Sequence, residues 1–410
     1  MNKRRVVITG LGVIAPNGIG KEDFWSALKE GRSGIKPIKR FDTGKFKCKS
    51  AGEIDDFKPA YFLGQKGLRD IARSSRLLCS AAKLAIDDAG LKINNDNTDD
   101  IGVCTGTTLS SLWNFAEFDK ESIQDGPLFT NVALFPGTVM NAASSQVSIK
   151  FNIQGFNTTI STGYSSSIDA LKYAMDFIMQ GRIKAVLVGG VESLSLVNYT
   201  GFYRLGFFAG IRGEEVSCPF DKRRNGIILG EGAAVMLIED EEYAIERKAR
   251  IYAEVNGIGN CFDAYKMGKY EPEAKGLKDS IIKAISYSGL NVSDIDYISA
   301  SANSVQEQDR LETKAIKDVF GRYSYNMPVS SIKSMIGETF SAGGLLQIAA
   351  AVGSMYNNFI PPTINYKIND HDCDLDYVAN KSRTARINNV LINCFGPGGA
   401  NASFITSRYH

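Results

Sequence analysis

The sequence predicts an α/β protein whose sheets are buried between helices. Short apolar runs, many of them bounded by glycine, recur through the 410 residues. Amphipathic stretches of helical length fall between them, and no low-complexity or Pro/Gly/Ser-rich linker interrupts the alternation. In chain order the expected strands are 5–9, 101–105, 185–189, 233–238, 251–255, 295–299, 390–394 and 402–405. Most are runs of Val, Ile, Leu or Ala without polar alternation, the pattern of strands covered on both faces. The clearest helices are 75–89, 166–180 and 274–288, where apolar residues return at three- and four-residue spacing.

A duplication is also expected. Gly230-Glu-Gly leads into an apolar strand, the charged run Glu239-Asp-Glu-Glu follows, and a second strand series begins at Ile251. The boundary falls near residue 250, giving halves 1–250 and 251–410 that pack as one unit because no flexible linker separates them.

Composition narrows the function. With 47 basic and 45 acidic side chains the net charge is +2, too little to draw nucleic acid or an anionic membrane by a global field. No apolar run approaches the ~20 residues of a membrane span. The N-terminus passes from two arginines directly into a glycine-punctuated strand, so no removable signal is expected. The seven cysteines are odd in number and scattered, with no Cys-x-x-Cys pair. That fits a reducing compartment, excludes the usual zinc spacings, and leads us to expect a cytoplasmic protein without a bound metal. Of the two histidines, His371 lies in the acidic run Asp370-His-Asp-Cys-Asp and His410 is the last residue. Chemistry that needs paired buried imidazoles has no candidates.

The segment from Asn157 to Ala170 is the most informative. A β-branched strand runs to Thr162, turns at Gly163 and Tyr164, and enters a helix whose apolar positions Ile168, Leu171, Met175 and Ile178 share one face. Such an elbow presents one side chain at a helix N-terminus, where free N–H groups and the dipole stabilise negative charge, and nucleophiles are often placed there. The plain alternative is a serine-capped helix after a tight turn.

At this point the chain resembles a known family. Arg4-Arg-Val-Val-Ile-Thr-Gly-Leu-Gly, the elbow, Cys218-Pro-Phe-Asp-Lys-Arg-Arg-Asn-Gly, Glu312-Thr-Lys-Ala-Ile-Lys, Ser330-Ser-Ile-Lys-Ser-Met-Ile-Gly and Asn393-Cys-Phe-Gly-Pro-Gly-Gly-Ala-Asn follow in the order of the β-ketoacyl-carrier-protein synthases of the thiolase-like superfamily. The resemblance implies a five-layered αβαβα fold of two similar halves, working as a dimer. It also exposes departures. Tyr164 stands where condensing members carry the acylated cysteine, Ser301 and Glu338 stand where they carry histidines, and Pro397 replaces a gating phenylalanine. Of the central catalytic set only Lys333 is retained.

The replacements do not supply the missing chemistry. A tyrosine with a pKa near ~10 is about one part in a thousand ionised at pH 7. A helix N-terminus adds at most ~2 kcal/mol, which leaves the phenol mostly protonated. Ser301 is expected to offer one donor to an enolate oxygen, whereas an ionised Glu338 would repel a malonyl carboxylate. Lys333 and Glu338 are expected to pair.

Loss of the nucleophile and of both histidines over a whole-chain match resembles the chain-length factor, the second ketosynthase subunit of type II polyketide synthases, although many members carry glutamine at the elbow. The resemblance implies a heterodimer with an active ketosynthase. It implies no cofactor bound directly, the phosphopantetheine arm of an acyl carrier protein being served through the partner. Leu112, Trp113, Phe115, Ala116, Phe129, Leu134 and Phe135 become candidate tunnel and gate residues, with Pro397; the plain alternative for the aromatics is ordinary core packing. Lys66, Arg69, Arg73 and Arg76 match a carrier-receiving stretch, or simply form a solvated helix face. Cys104 and Cys394 are expected to be inert core residues. Two other functions stay open, a malonyl-carrier-protein decarboxylase supplying primer and an inert homodimer that binds acyl chains or carrier proteins.

Overall fold

In the computed structural model, which describes residues 4–68 and 71–410, ten strands follow one another along a single hydrogen-bonded sheet, with Gly18–Ile19 as an eleventh off the path. They are β1 (Val6–Ala15), β2 (Ile101–Gly106), β3 (Asn157–Ile160), β4 (Ala185–Glu192), β5 (Gly232–Asp240), β6 (Ala253–Phe262), β7 (Tyr297–Ser299), β8 (Val329–Ser330), β9 (Asn389–Phe395) and β10 (Ala400–Arg408). From the middle outward one half runs β1-β5-β4-β2-β3 and the other β6-β10-β9-β7-β8. Pairing directions repeat as well. In each half the two inner pairings are antiparallel and the two outer ones parallel. The halves meet edge to edge only where Val7 faces Glu254 and Ile8 faces Ala253.

Helices cover this sheet in layers. The long ones are α1 (Arg73–Ala89), α2 (Leu112–Asp125), α3 (Ser166–Met179), α4 (Lys275–Ser288), α5 (Gln306–Phe320) and α6 (Gly343–Asn357). Helices α3 and α6 touch each other and strands of both halves, so they form a central layer. Every residue of α6 from Gly343 to Met355 is buried, as a helix between two sheets requires. On the outside α1 packs on β1, β5 and β4, and α4 on β6 and β10. Two helix layers outside, two half-sheets and one helix layer between them make the five layers of the expected fold.

Strand ends differ from the expectation in an instructive way. β1 continues through Gly10 and Gly12, and β6 begins at Ala253 rather than at 251 and runs through Gly257 and Gly259 to Phe262. These glycines are not turns. A Cβ at Gly10 or Gly12 would lie 2.3 or 1.8 Å from a carbonyl of α1, and one at Gly257 or Gly259 would lie 2.1 Å from a carbonyl of α4. The missing side chains let each outer helix settle against the first strand of its half.

Candidate functional site

The elbow is built as a strand, a turn and a helix. β3 ends at Ile160, Gly163 takes φ 76°, and a single 3-10 turn, Gly163–Ser165, runs into α3. Ser166 fixes the turn by donating to the Gly163 carbonyl at 2.6 Å and accepting from the Thr162 N–H at 2.9 Å. Ile168, Leu171, Met175 and Ile178 all face the core.

Tyr164 is half-buried at the tip of this turn. Its ring stands edge-on to Phe340 at 5.2 Å between centroids and lies against Gly396, where a Cβ would come within 2.5 Å of the ring. The Lys333 ammonium sits 5.7 Å from the ring centroid, a cation–π distance. Burial, then the Glu338 charge, then Tyr270 push the phenol well above its ordinary pKa, so it stays protonated.

Below the ring lies a buried ion pair. Lys333 Nζ donates to Glu338 Oε2 at 2.8 Å and to the Ser301 carbonyl at 2.9 Å. Glu338 also accepts from Asn303 Nδ2 at 2.8 Å and from the Phe340 N–H at 2.8 Å. Both charged side chains are almost fully shielded from water. The structure thus brings together Tyr164, Ser301, Lys333 and Glu338, with Lys333 touching the other three. The Ser301 hydroxyl differs from expectation. It donates to the Phe395 carbonyl at 3.2 Å and accepts from the Phe395 N–H at 3.2 Å, so the strand end of β9 occupies the donor that an enolate would need. Pro397 follows two residues later, half-buried in the β9–β10 turn.

Further polar residues close the site. Tyr270 is buried with its hydroxyl donating to Gln308 Oε1 at 2.6 Å, and Gln308 in turn donates to the Ser301 carbonyl at 3.1 Å. Glu312 accepts from the Ser301 and Ala302 N–H groups at 2.9 and 2.8 Å and from Asn393, and burial pushes its carboxyl up to about 7. Behind the elbow Glu192 accepts from the Thr108 N–H at 2.6 Å and from Ser341 at 2.7 Å, and burial likewise raises it to about 7. None of Tyr270, Gln308 or Glu192 is marked by sequence pattern; Asn303 lies in the stretch that identifies Ser301, and Glu312 in another motif, but the buried state of both depends on the packed site. Cys104 and Cys394 are buried, with thiols pushed up to about 12 by desolvation. His371 lies exposed between Asp370 and Asp372, the one group with metal-ligand spacing among the described residues.

The candidate tunnel residues lie elsewhere than in a core. Helix α2 buries none of its residues; it packs mainly on Leu196–Arg204 and on the turn Val132–Gly137. Trp113, Phe115, Phe129 and Phe135 are exposed, together with Leu128 and Val132, while Leu112, Ala116 and Leu134 are half-buried. They lie on α2 and on the loop and turn that follow it, as an outward apolar face, and β3 is the end strand of this half of the sheet. Ordinary core packing is therefore excluded for the exposed aromatics, and among the described residues nothing encloses them as a tunnel. In the basic stretch Lys66 is exposed, while Arg73 and Arg76 are half-buried. Arg73 turns inward to clasp Glu231 at 2.5 and 2.8 Å, and Arg69 lies outside the described residues.

No described helix is long and apolar enough to cross a membrane. The family model for the N-terminal domain of beta-ketoacyl synthase matches residues 3–244, and that for the C-terminal domain matches 252–367. The 3-oxoacyl-[acyl-carrier-protein] synthase 2 of Coxiella burnetii is 38% identical over 100% of this chain and 99% of its own. The tetracenomycin polyketide synthase ketoacyl synthase alpha subunit of Streptomyces glaucescens is 33% identical over 99% and 97%. Among solved structures, the ishigamide ketosynthase/chain length factor covers 100% of both chains with a TM-score of 0.93 at 33% identity. A type II polyketide synthase acyl-carrier protein in complex with its ketosynthase gives 0.90 at 28%, again over 100% of both chains. The chain therefore belongs to the beta-ketoacyl synthase family and has its thiolase-like fold.

Proposed function

We propose that this chain is a non-catalytic, chain-length-setting subunit that pairs with an active ketosynthase in a type II polyketide synthase. One observation carries the reading. The position of the family's nucleophile holds a protonated, wedged Tyr164, and the retained Lys333 is tied to Glu338 where a histidine would act. With the Ser301 hydroxyl also engaged, the cluster offers neither the family's nucleophile nor an imidazole base, and the one side-chain donor expected for an enolate oxygen is taken. Relatives named as 3-oxoacyl synthases share the frame, but the groups at this elbow do not form the family's condensing set.

The outward apolar face of α2 and the open side of β3 support pairing, since exposed aromatics in such numbers mark an interaction surface. In the pair, Trp113, Phe115 and Phe135 would face the partner's growing chain. The acyl carrier protein and its phosphopantetheine arm would be served through the partner, and this subunit would bind no cofactor of its own. Co-expression with a ketosynthase carrying intact Cys-His-His tests this. Obligate co-purification and a product made only by the pair are expected. Carbon dioxide release from malonyl-carrier protein by the isolated chain would make it a decarboxylase, and a stable inert homodimer would make it a binding module.

A further inference from the structure

Next to the apolar face, at the start of α1, three arginines stand against two carboxylates among the described residues: Arg40, Arg73 and Arg76 against Glu53 and Glu231. A cavity of about 280 Å3 opens there, lined by Arg40, Arg73, Arg76, Trp113, Asn114 and Leu134. Arg73 is turned to Glu231, with two bonds to its carboxylate and a third to the Ile54 carbonyl at 2.7 Å. Glu53, the other nearby carboxylate, accepts from the Lys39 N–H at 2.7 Å. Among the described residues neither Arg40 nor Arg76 has an acidic hydrogen-bond partner, and the Nε of Arg76 is shut off from water with no partner at all. Burial, and then the Arg73 charge, lower the pKa of both guanidinium groups, as expected of cations held without enough counter-charge.

Arg40 is exposed, but Arg76 is half-buried with its Nε dry and unpartnered; such a guanidinium costs the free chain stability, and a carboxylate entering the cavity would offset that cost. Trp113 and Leu134 belong both to this cavity and to the apolar face, which makes the two surfaces continuous. We propose that the cavity is the polar anchor of that interface and receives an aspartate or glutamate side chain of the partner ketosynthase. The guanidinium fork matches a planar carboxylate, and a pair sealed by surrounding apolar contacts discriminates strongly between partners. The inference rests on the pairing reading above and adds the chemistry by which the correct partner is selected.

The test compares the pair formed by the wild-type chain and a ketosynthase with intact Cys-His-His with pairs carrying Arg76→Met, Arg76→Lys or, as a control on the exposed side of α1, Lys83→Met. Affinity is measured at low and high salt, and melting temperature on the isolated chain. Arg76→Met weakens the pair at least tenfold and flattens its salt dependence; Arg76→Lys recovers part of both; Lys83→Met changes neither. In the isolated chain Arg76→Met leaves the melting temperature unchanged or raises it, so the lost affinity is not lost folding. A pair whose affinity and salt dependence ignore Arg76→Met overturns the anchor and leaves the pairing reading standing. A folded wild-type chain that does not pair with the ketosynthase overturns the pairing reading itself. A homodimer weakened by Arg76→Met shows that a second copy fills the cavity, and overturns the choice of partner.

Discussion

Lys333 and Glu338 meet head to head because a glycine reverses the chain between them. One helical turn, Lys333–Ile336, is closed by Gly337 at φ 76°, and the next residue returns its carboxylate to 2.8 Å from the ammonium. A Cβ at Gly337 would lie 2.8 Å from the Ile228 carbonyl, so the reversal is fixed by backbone on the other side as well. The lysine retained from the family is thereby held by an acid of its own chain.

Glu338→Gln should destabilise the protein strongly. Removing one partner of a buried pair leaves the other charge uncompensated, a loss of ~3–5 kcal/mol. Replacing both groups, as Lys333→Met with Glu338→Leu, should recover most of that. Urea unfolding of the three proteins measures it; a Glu338→Gln variant as stable as the wild type would mean that the pair is not formed in solution.

The isolated protein should take up no acyl group from an acyl-carrier protein. Burial and the adjacent Glu338 charge keep the Tyr164 phenol protonated. Tyr164→Cys alone should not condense either, since Ser301 and Glu338 still replace the histidines. Intact-mass analysis after incubation is the measurement, and an adduct on Tyr164 contradicts the site as described.

Stability should fall as pH rises from about 4.5 to about 7. Glu192 and Glu312 have carboxyl values raised from 4.5 to about 7 chiefly by desolvation, so the native state holds protons that the unfolded chain has already released. Their contribution is complete below the unfolded value and is lost as pH passes through the folded one. Glu192→Gln should therefore reduce the difference in unfolding free energy between pH 5 and pH 8. An identical pH dependence in the variant would show that Glu192 is ionised throughout.

Trp113→Ala, Phe115→Ala and Phe135→Ala should leave the isolated chain about as stable as before. These side chains are 37, 57 and 56% exposed, so truncation costs far less than the ~3–5 kcal/mol of a packed aromatic. In the reconstituted pair at least one should lengthen the product, read by mass spectrometry. Unchanged products from three folded, fully active variants would limit this face to support of the partner.

What the sequence showed and what it hid follow from the range of the interactions. The positions of Tyr164, Ser301, Lys333 and Glu338 stand out because each sits inside a short motif. The occupation of the Ser301 hydroxyl by Phe395 does not, because 94 residues separate the two in the chain. Tyr270 follows the exposed residues Lys266–Lys269, with no local pattern to mark that its ring turns inward. Gly10, Gly12, Gly257 and Gly259 read as strand ends because only the packed helices α1 and α4 give them another purpose. The aromatics of α2 have the spacing of a buried helix, and a face that packs on another protein cannot be told by periodicity from one that packs on its own core.

The unbroken burial of α6 bears on how motion is distributed through the molecule. Its backbone amides can meet solvent only if the two half-sheets part, so their hydrogen exchange should report global opening and be among the slowest in the protein. The segment from Glu338 to Ala342 runs directly into this helix, which ties the floor of the site to the least mobile part of the fold. Helix α2, which buries none of its residues, has no such anchor, so its amides should exchange far faster than those of α6 until a partner covers them.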